Sequence, residues 1–579
     1  MSTPSMPARD EAAPSVPPPS LVAAPEPRPE RRLPRLLAAL GGLGWFLCLG
    51  GSAVIPPTRI AWMMHEDWAA HILGWLFFRN APWGLPLGAA PNHFHPYGSS
   101  VALTDGNPWL AVLFKPFSRL LPVDFQYTGA WLALCFVLMG YFGARLVATV
   151  SPRAVHQVLG GVLLTLAPVM AARFSHPTLC AHWLLVAMLW LNLRGNPHPS
   201  DARRALWLAA FFNAVAAGTH PYWVAMLFPL TLALAVRLAW EGVLDVKHAG
   251  AALVGIVALD GVLFSLFGYF GGSALGAEGF GEFSADLATW VNPLGWSRWL
   301  PSLPSGPRQG EGYGYLGAGA LLLLAVTLLS LAARWKEARA LPWRRALPVT
   351  LVAASMVVYA LSSRVTLLGA PVADLSGPYA RLATLTNAFR ASGRFVWPMH
   401  YLLVCGAVLL VARLWRQRPW VVTVLLGAAV AVQASDVRTE RSPLHRLGDF
   451  RRLESPAWSE LKGAYPHLAL FPPHVQWVCR YNEPLVNALA YVAYREGLTF
   501  NSGYASRTPL ELAEECQARL PRGGVAEDTA YVVAPENLPD FLRAGASCGV
   551  VEGLPVCVAG TRTDTFAQRL AKQPLRASP

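Results

Sequence analysis

About eleven apolar runs, most of them near the ~20 residues that a helix needs to cross a bilayer, occupy the first three quarters of this chain. The first is 36–54. The others lie near 127–148, 155–172, 178–193, 205–218, 221–239, 249–270, 315–333, 346–362, 397–413 and 419–434. Runs of this length bury their backbone polar groups only as helices, which restricts this part of the chain to a helical bundle. The balance of residues agrees: 54% of the 579 are hydrophobic and 14% are charged, where soluble domains carry about 25% charged residues. Trp, with 22 copies, suits chains whose indoles sit at headgroup level. Arg31, Arg32 and Arg35 precede the first run and no small-residue cleavage site follows it, so it reads as an uncleaved span rather than a signal peptide. The expected fold class is an α-helical polytopic membrane protein of about eleven transmembrane helices, with a C-terminal extracytoplasmic α/β domain.

The net charge of +13 raises the question of nucleic acid. Residues 436–579 hold 16 basic and 16 acidic side chains, so the whole excess, 31 basic against 18 acidic, lies among the apolar runs. No basic stripe with interleaved aromatics occurs in the polar part, and nucleic acid is set aside as a partner. Positive charge between spans sets orientation instead. One set of loops carries Arg145, Arg153, Arg194, Arg203, Arg204, Arg237, Lys247, the cluster from Arg334 to Arg345, and Arg413, Arg416 and Arg418. With the N-terminal tail it holds 20 Lys/Arg. The opposite set holds 11, ten of them in long loops, where the rule is weak. The N-terminus is therefore expected in the cytoplasm of a bacterial inner-membrane protein, and the C-terminal domain in the periplasm.

Three regions follow from this layout. Residues 1–34 are rich in Pro, Ala and charge and read as a disordered cytoplasmic tail. Residues 35–435 form the transmembrane domain, with outer loops at about 56–126, 271–314 and 363–396. Residues 436–579 form the outer domain, with strands expected at 468–471, 498–501 and 530–533 and helices at 510–520 and 538–544, the first of these capped at Thr508-Pro509. The segment 109–121 is apolar but short and carries Lys115 and Arg119, so it reads as interfacial or re-entrant. Cys48, Cys135, Cys180 and Cys405 fall in apolar runs and read as packing residues. Cys479, Cys516, Cys548 and Cys557 fall in the outer domain without a CxxC, which disfavours zinc and suits disulfides. Gly553-Leu554-Pro555 between Cys548 and Cys557 suggests a hairpin that pairs them, with Cys479–Cys516 as the second bridge.

Candidate chemistry concentrates in the first outer loop. His65-Glu66-Asp67-Trp68 is followed by His71, and on a helix Asp67 and His71 share one face. A carboxylate at that level can act as a base or hold a divalent cation such as Mg or Mn. A plain amphipathic surface helix explains the same residues. Asn92-His93-Phe94-His95 reads better as a Pro/Gly-rich loop than as a metal site. Asp105 is a helix cap or a second acidic group. Arg173, His176, His182, His220, Tyr222, Asp286, Glu311 and Tyr313 fall at outward helix ends or in the later outer loops, where ionisable residues are functional candidates. Arg390 and Arg394, one turn apart if helical, suit an anionic phosphate or lipid headgroups.

These stretches resemble an uncharacterised family of bacterial polytopic membrane proteins, a domain of unknown function. The matching segments are 67–86, 104–131 with Leu121-Pro122 and Phe125-Gln126-Tyr127, 284–293, 310–317 and 389–395. More distantly, the layout resembles the GT-C superfamily of membrane glycosyltransferases, whose first outer loop bears acidic residues where Glu66-Asp67 falls. That resemblance implies transfer of a sugar from a polyprenyl-phosphate donor to an extracytoplasmic glycan, lipid or protein acceptor in envelope assembly. Asp67, with Glu66 or Asp105, would be the catalytic carboxylate. Arg390, Arg394, His71, His176, His220 and Glu311 would bind the substrate and lipid phosphate. The absence of a P-loop or a strand–GxGxxG–helix unit agrees with a lipid-linked rather than a nucleotide-linked donor. The alternatives are a lipid or glycan transporter or flippase, for which Asp260 is the clearest charge inside an apolar run, and a non-catalytic membrane scaffold.

The charge asymmetry yields a direct test of orientation. Reporter fusions placed after Ser435 and within residues 195–203 are expected on opposite sides of the membrane; the same side for both would overturn the assignment.

Overall fold

The computed structural model describes residues 32–271, 279–475, 479 and 482–575. Most of the tail read as disordered, residues 1–31, lies outside the described residues, as do 272–278 of the second outer loop. The architecture is mostly helical, with a C-terminal sheet. Among the described residues, seven helices are long and apolar enough to cross a membrane: Thr128–Val147, Ala154–Ala171, Pro221–Trp240, Val246–Phe267, Trp343–Leu361, Ser392–Leu414 and Pro419–Asp436. Leu33–Cys48, Pro177–Leu193 and Ala318–Ala333 are apolar but shorter. Pro199–Ala217 is the eleventh helix of the set, and its polar first turns, with Asp201, Arg203 and Arg204, dilute its apolar character.

Small residues let the first helices approach closely. Leu33–Cys48 packs on Thr128–Val147 and on Ala154–Thr165. A Cβ on Gly140 would lie 2.2 Å from the Ala38 carbonyl oxygen, and one on Gly42 would lie 2.2 Å from that of Phe136. Small residues at such contacts let helix backbones meet directly and pack closely. Prolines shape the remainder: Ala167–Pro168 interrupts the helix that starts at Ala154, and Pro229 and Pro348 sit inside theirs. Arg237 donates to the Arg194 carbonyl at 2.9 Å and Arg345 pairs with Glu241 at 3.0 Å, so several basic helix ends meet.

Buried carboxylates pin the later loops. Asp436, fully buried, accepts hydrogen bonds from Ser297, from the Tyr315 hydroxyl at 2.9 Å and from the Ala318 amide at 3.0 Å. Asp286 accepts from the Thr366 hydroxyl at 2.8 Å and from the Leu368 and Gly369 amides at 3.0 Å. It thereby ties the second outer loop to the hairpin of Arg364–Leu367 and Ala370–Asp374. Each buried charge is satisfied by several donors, the condition under which burial is tolerated.

The C-terminal part carries a five-stranded sheet in the order Thr499–Phe500, His467–Phe471, Thr529–Val533, Leu554–Val558, Ser547–Val551. The first three strands run parallel and the last two antiparallel. Three strands lie where the sequence places them. The Ser547–Val551/Leu554–Val558 pair is the hairpin expected between Cys548 and Cys557, and it sets these two residues opposite each other. Disulfides join Cys548 to Cys557 and Cys479 to Cys516. The helix expected over 510–520 stops at Glu514 and gives way to one tighter turn, Glu515–Gln517, where Cys516 is held by its bridge. Its cap is also different: Pro509 occupies the cap position, with no side-chain bond. Helix Glu483–Glu496 was not anticipated, and it is the element that docks on the first outer loop.

Gly140 and Gly44 separate packing from propensity. Gly140→Ala is expected to lower the melting temperature of the detergent-solubilised protein, because overpacking costs about 1–3 kcal/mol. Gly44 has open space at the Cβ position, and Gly44→Ala is expected to be neutral or stabilising. Equal melting of the two variants would contradict this packing.

Candidate functional site

Helix Glu66–Asn80 is the centre of the site. It is not the surface helix that its composition allows: nearly every residue from Trp68 to Arg79 is buried. The reason is that its aromatic and basic side chains find partners on all sides. The Trp68 indole donates to the Phe174 carbonyl at 2.6 Å and that of Trp75 to Phe125 at 2.9 Å. Arg79 donates to the carbonyls of Pro122 and Ser118 at 2.9 and 2.8 Å. Asn80 reaches the Tyr494 carbonyl at 3.3 Å, and Asn487 reaches that of Met64 at 3.3 Å. The helix is thus held between the helical bundle and the C-terminal domain.

Asp67 and His71 do share a face. His71 Nδ1 donates to the Asp105 carbonyl at 2.5 Å. The Asp105 side chain lies 3.3 Å from His220 Nε2, whose Nδ1 accepts from the Tyr222 amide at 3.2 Å. Asp105 is not the helix cap; Asn107 is, accepting from the Leu110 amide at 3.4 Å. Asp67 lies 3.4 Å from His176 Nε2. Glu311 accepts from Arg173 at 2.9 Å and from Arg394 Nε at 2.8 Å, and Arg173 also donates to the Gly310 carbonyl. The Arg394 guanidinium lies over the Tyr222 ring, 4.7 Å from its centroid. Arg390 and Arg394 are not on one helix: Ala383–Ala388 ends before Arg390, and Arg394 sits in the turn Ser392–Val396. Both still influence one group, Tyr504, which also feels Asp67 and Asp105.

Electrostatics divide the carboxylates. Burial raises the Asp67 carboxyl to about 6, and Glu311, Asp105, Glu483 and Glu66 add to the rise. Burial also acts on Asp105, but His220, His71 and His176 outweigh it and hold this carboxyl well below the usual range. Glu311 is held low in the same way, burial being outweighed by Arg394 and Arg173. Burial lowers His176 to about 3, so its imidazole is neutral beside Asp67. One carboxylate therefore titrates near neutral pH while two stay ionised, the arrangement found where acid–base roles are assigned by environment.

Asp67 opens into a cavity of about 360 Å³ between the first outer loop and the C-terminal domain. Glu66, His93, Glu483, Asn487 and Tyr504 share its lining. His93 and His95, read as loop residues, stack on Phe77 at 4.6 Å and on His467 at 3.9 Å. Asn92 and His95 exchange backbone hydrogen bonds with Phe500, which covers the edge of the sheet. Among the described residues, no three His, Cys, Asp or Glu side chains converge as a metal cage would. Of the site residues, Arg173 was visible in the sequence as one polar helix end among many. Tyr504, Glu483 and Asn487 were missed; the spacing of Glu483 and Asn487 by four residues was the available signal.

A bundle of apolar helices with a buried ionic cluster, closed at one end by an α/β domain, defines the class of architecture. Two family models match this chain: Domain of unknown function (DUF6311) over residues 38–438 and the DUF6311 C-terminal domain over 457–559. The first covers more than half of the chain, and the protein belongs to that family. None of the curated proteins matches it.

The raised Asp67 carboxyl has a defined consequence for stability. The folded protein holds this proton more tightly than the unfolded chain, whose carboxyl titrates near 3.8. Folding is therefore favoured below that value and loses the contribution as pH rises to about 6. The difference in melting temperature, Asp67→Asn minus wild type, is expected to grow from pH 4 to pH 7. A difference that stays constant or shrinks would contradict the assignment.

Proposed function

We propose that this protein is an integral membrane glycosyltransferase of the GT-C kind, moving a sugar from a polyprenyl-phosphate donor to an acceptor outside the cytoplasm. The observation that carries the reading is Asp67, a carboxyl near pH 6 at the mouth of a cavity, beside the Arg173–Glu311–Arg394 cluster. Asp67 takes the proton from the acceptor hydroxyl as its oxygen bonds to the anomeric carbon. The bond from that carbon to the phosphate oxygen breaks, and its electron pair leaves with the lipid phosphate. The terminal nitrogens of Arg394 make no hydrogen bond among the described residues, and Arg390 forms no ion pair among them. These two are the groups that meet the developing phosphate charge. Arg173 is committed to Glu311 and Gly310 and holds the cluster in place.

A bilayer setting of eleven spans is part of the proposal. Val254 and Leu329 are each 71% exposed on helix faces, and rows of such side chains suit lipid rather than water. The two disulfides suit an oxidising compartment for the C-terminal domain. Together with the charge asymmetry of the loops, this supports a cytoplasmic N-terminus and a periplasmic site in a bacterial inner membrane.

Turnover of polyprenyl-linked sugars by the purified protein tests the reading. Asp67→Asn is expected to lower it about 10²–10⁴-fold, as removal of a general base does, while Glu66→Gln has a milder effect. Wild-type turnover in Asp67→Asn would remove Asp67 from this role. A wild-type protein inert towards a broad donor panel would overturn the function itself.

A further inference from the structure

The cavity beside Asp67 is built from two parts of the chain that are far apart in sequence. Glu66, Asp67 and His93 come from the first outer loop, and Glu483, Asn487 and Tyr504 from the C-terminal domain. At about 360 Å³ it sits at the small end of the ~300–1,000 Å³ range of small-molecule sites. His93 is 1% exposed, and among the described residues neither of its ring nitrogens has a hydrogen-bond partner. The Ser502 backbone faces the ring without meeting hydrogen-bond geometry. Burial holds His93 neutral, near 3, so the ring offers one donor and one acceptor at the cavity. An unpaired buried polar group of this sort costs about 1–3 kcal/mol unless something satisfies it.

The two sides of Asp67 differ in charge. Towards the bundle lie Arg173 and Arg394 with Glu311. Among the described residues, the cavity lining contains three carboxylates and no Lys or Arg. A phosphate or a carboxylate placed there would meet like charge at close range, which suppresses binding. Hydroxyl groups meet the opposite: carboxylate and Asn oxygens accept from them, the Asn487 amide donates to them, and His93 does both. The Tyr504 ring supplies a flat face of the kind that covers the C–H side of a pyranose.

We infer that this cavity is the acceptor subsite and that it takes a hydroxyl-rich sugar without negative charge, the terminal residue of a non-acidic glycan. The inference rests on the proposed transferase reading for the word acceptor; the sugar-binding site itself does not. The C-terminal domain is then part of the substrate site, with Glu483 and Tyr504 as binding residues. Anionic acceptors are rejected by the same carboxylates that orient neutral ones.

Binding can be read without turnover. The purified full chain in detergent is titrated calorimetrically with a panel of neutral mono- and disaccharides (glucose, galactose, mannose and N-acetylglucosamine series), with the matching uronates, and with the matching amino sugars. At least one neutral series is expected to bind, with uronates at least tenfold weaker and amino sugars at least as tight. Glu483→Gln and Tyr504→Ala are each expected to weaken that binding tenfold or more, with unchanged melting temperature. Absence of binding by every neutral sugar, equal binding of uronates, weaker binding of amino sugars, or indifference to both substitutions would each overturn the inference. Sugar binding without any transfer would sink the transferase reading and leave the subsite standing; transfer to an anionic acceptor would do the reverse.

Discussion

One carboxylate, Glu311, sits between two guanidiniums, and the upper end of the bundle depends on it. Arg173 comes from the turn between two helices and Arg394 from the turn that starts another, while Glu311 lies in the second outer loop. Three segments are therefore tied together by one buried cluster. The cluster carries one excess positive charge, and it lies close enough to raise Asp67 through Glu311 and to depress His176 through both arginines. Removing one partner of a buried pair typically costs about 3–5 kcal/mol, because it strands the other charge. Architecture and electrostatics thus have the same source here.

Local backbone strain accompanies that cluster. Glu66, Asp105 and Asn107 adopt positive φ values of 52°, 54° and 51°, which cost about 1–3 kcal/mol each unless the surroundings enforce them. The enforcing contacts are visible. His71 holds the Asp105 carbonyl, the Tyr127 hydroxyl donates to the Gly106 carbonyl, and Asn107 caps the next helix. Gly74 is what lets this loop lie against the helix, since a Cβ there would fall 1.9 Å from the Thr104 hydroxyl oxygen. Asp105 is therefore positioned as a fixed anion, while Asp67, on the regular helix one turn from His71, keeps access to the cavity and to a proton.

The apolar runs were legible because length and composition are local properties: all eleven lie on helices. The ionisable residues at their outward ends were legible one by one, as charge out of place. Their partnerships were not. Arg173 and Glu311 are 138 residues apart and Glu311 and Arg394 are 83 apart, and periodicity carries no information over such distances. The spacing of Arg390 and Arg394 suggested a helical pair, but the chain leaves the helix after Ala388 and only Arg394 reaches the carboxylate. The C-terminal contribution was the least legible. Helix Glu483–Glu496 buries Val486 to Tyr494 almost without a break, so its sequence lacks the clean polar stripe of a half-exposed helix.

That burial bears on how the two family segments relate. The C-terminal helix is covered on one side by its own sheet and on the other by the first outer loop. Tyr491 and Tyr494 donate to Asp124 and to the Val123 carbonyl at 2.6 and 2.7 Å, and Arg452 pairs with Asp124 at 2.9 Å. Asn92 and His95 complete the sheet edge from the other part of the chain. Separating the two parts would expose the buried face of helix Glu66–Asn80, strand an edge strand and leave Asp124 without its partners. A site that needs Asp67 from one segment and Tyr504 from the other exists only while that interface is closed, so the C-terminal domain acts as a wall of the cavity rather than as a tethered accessory.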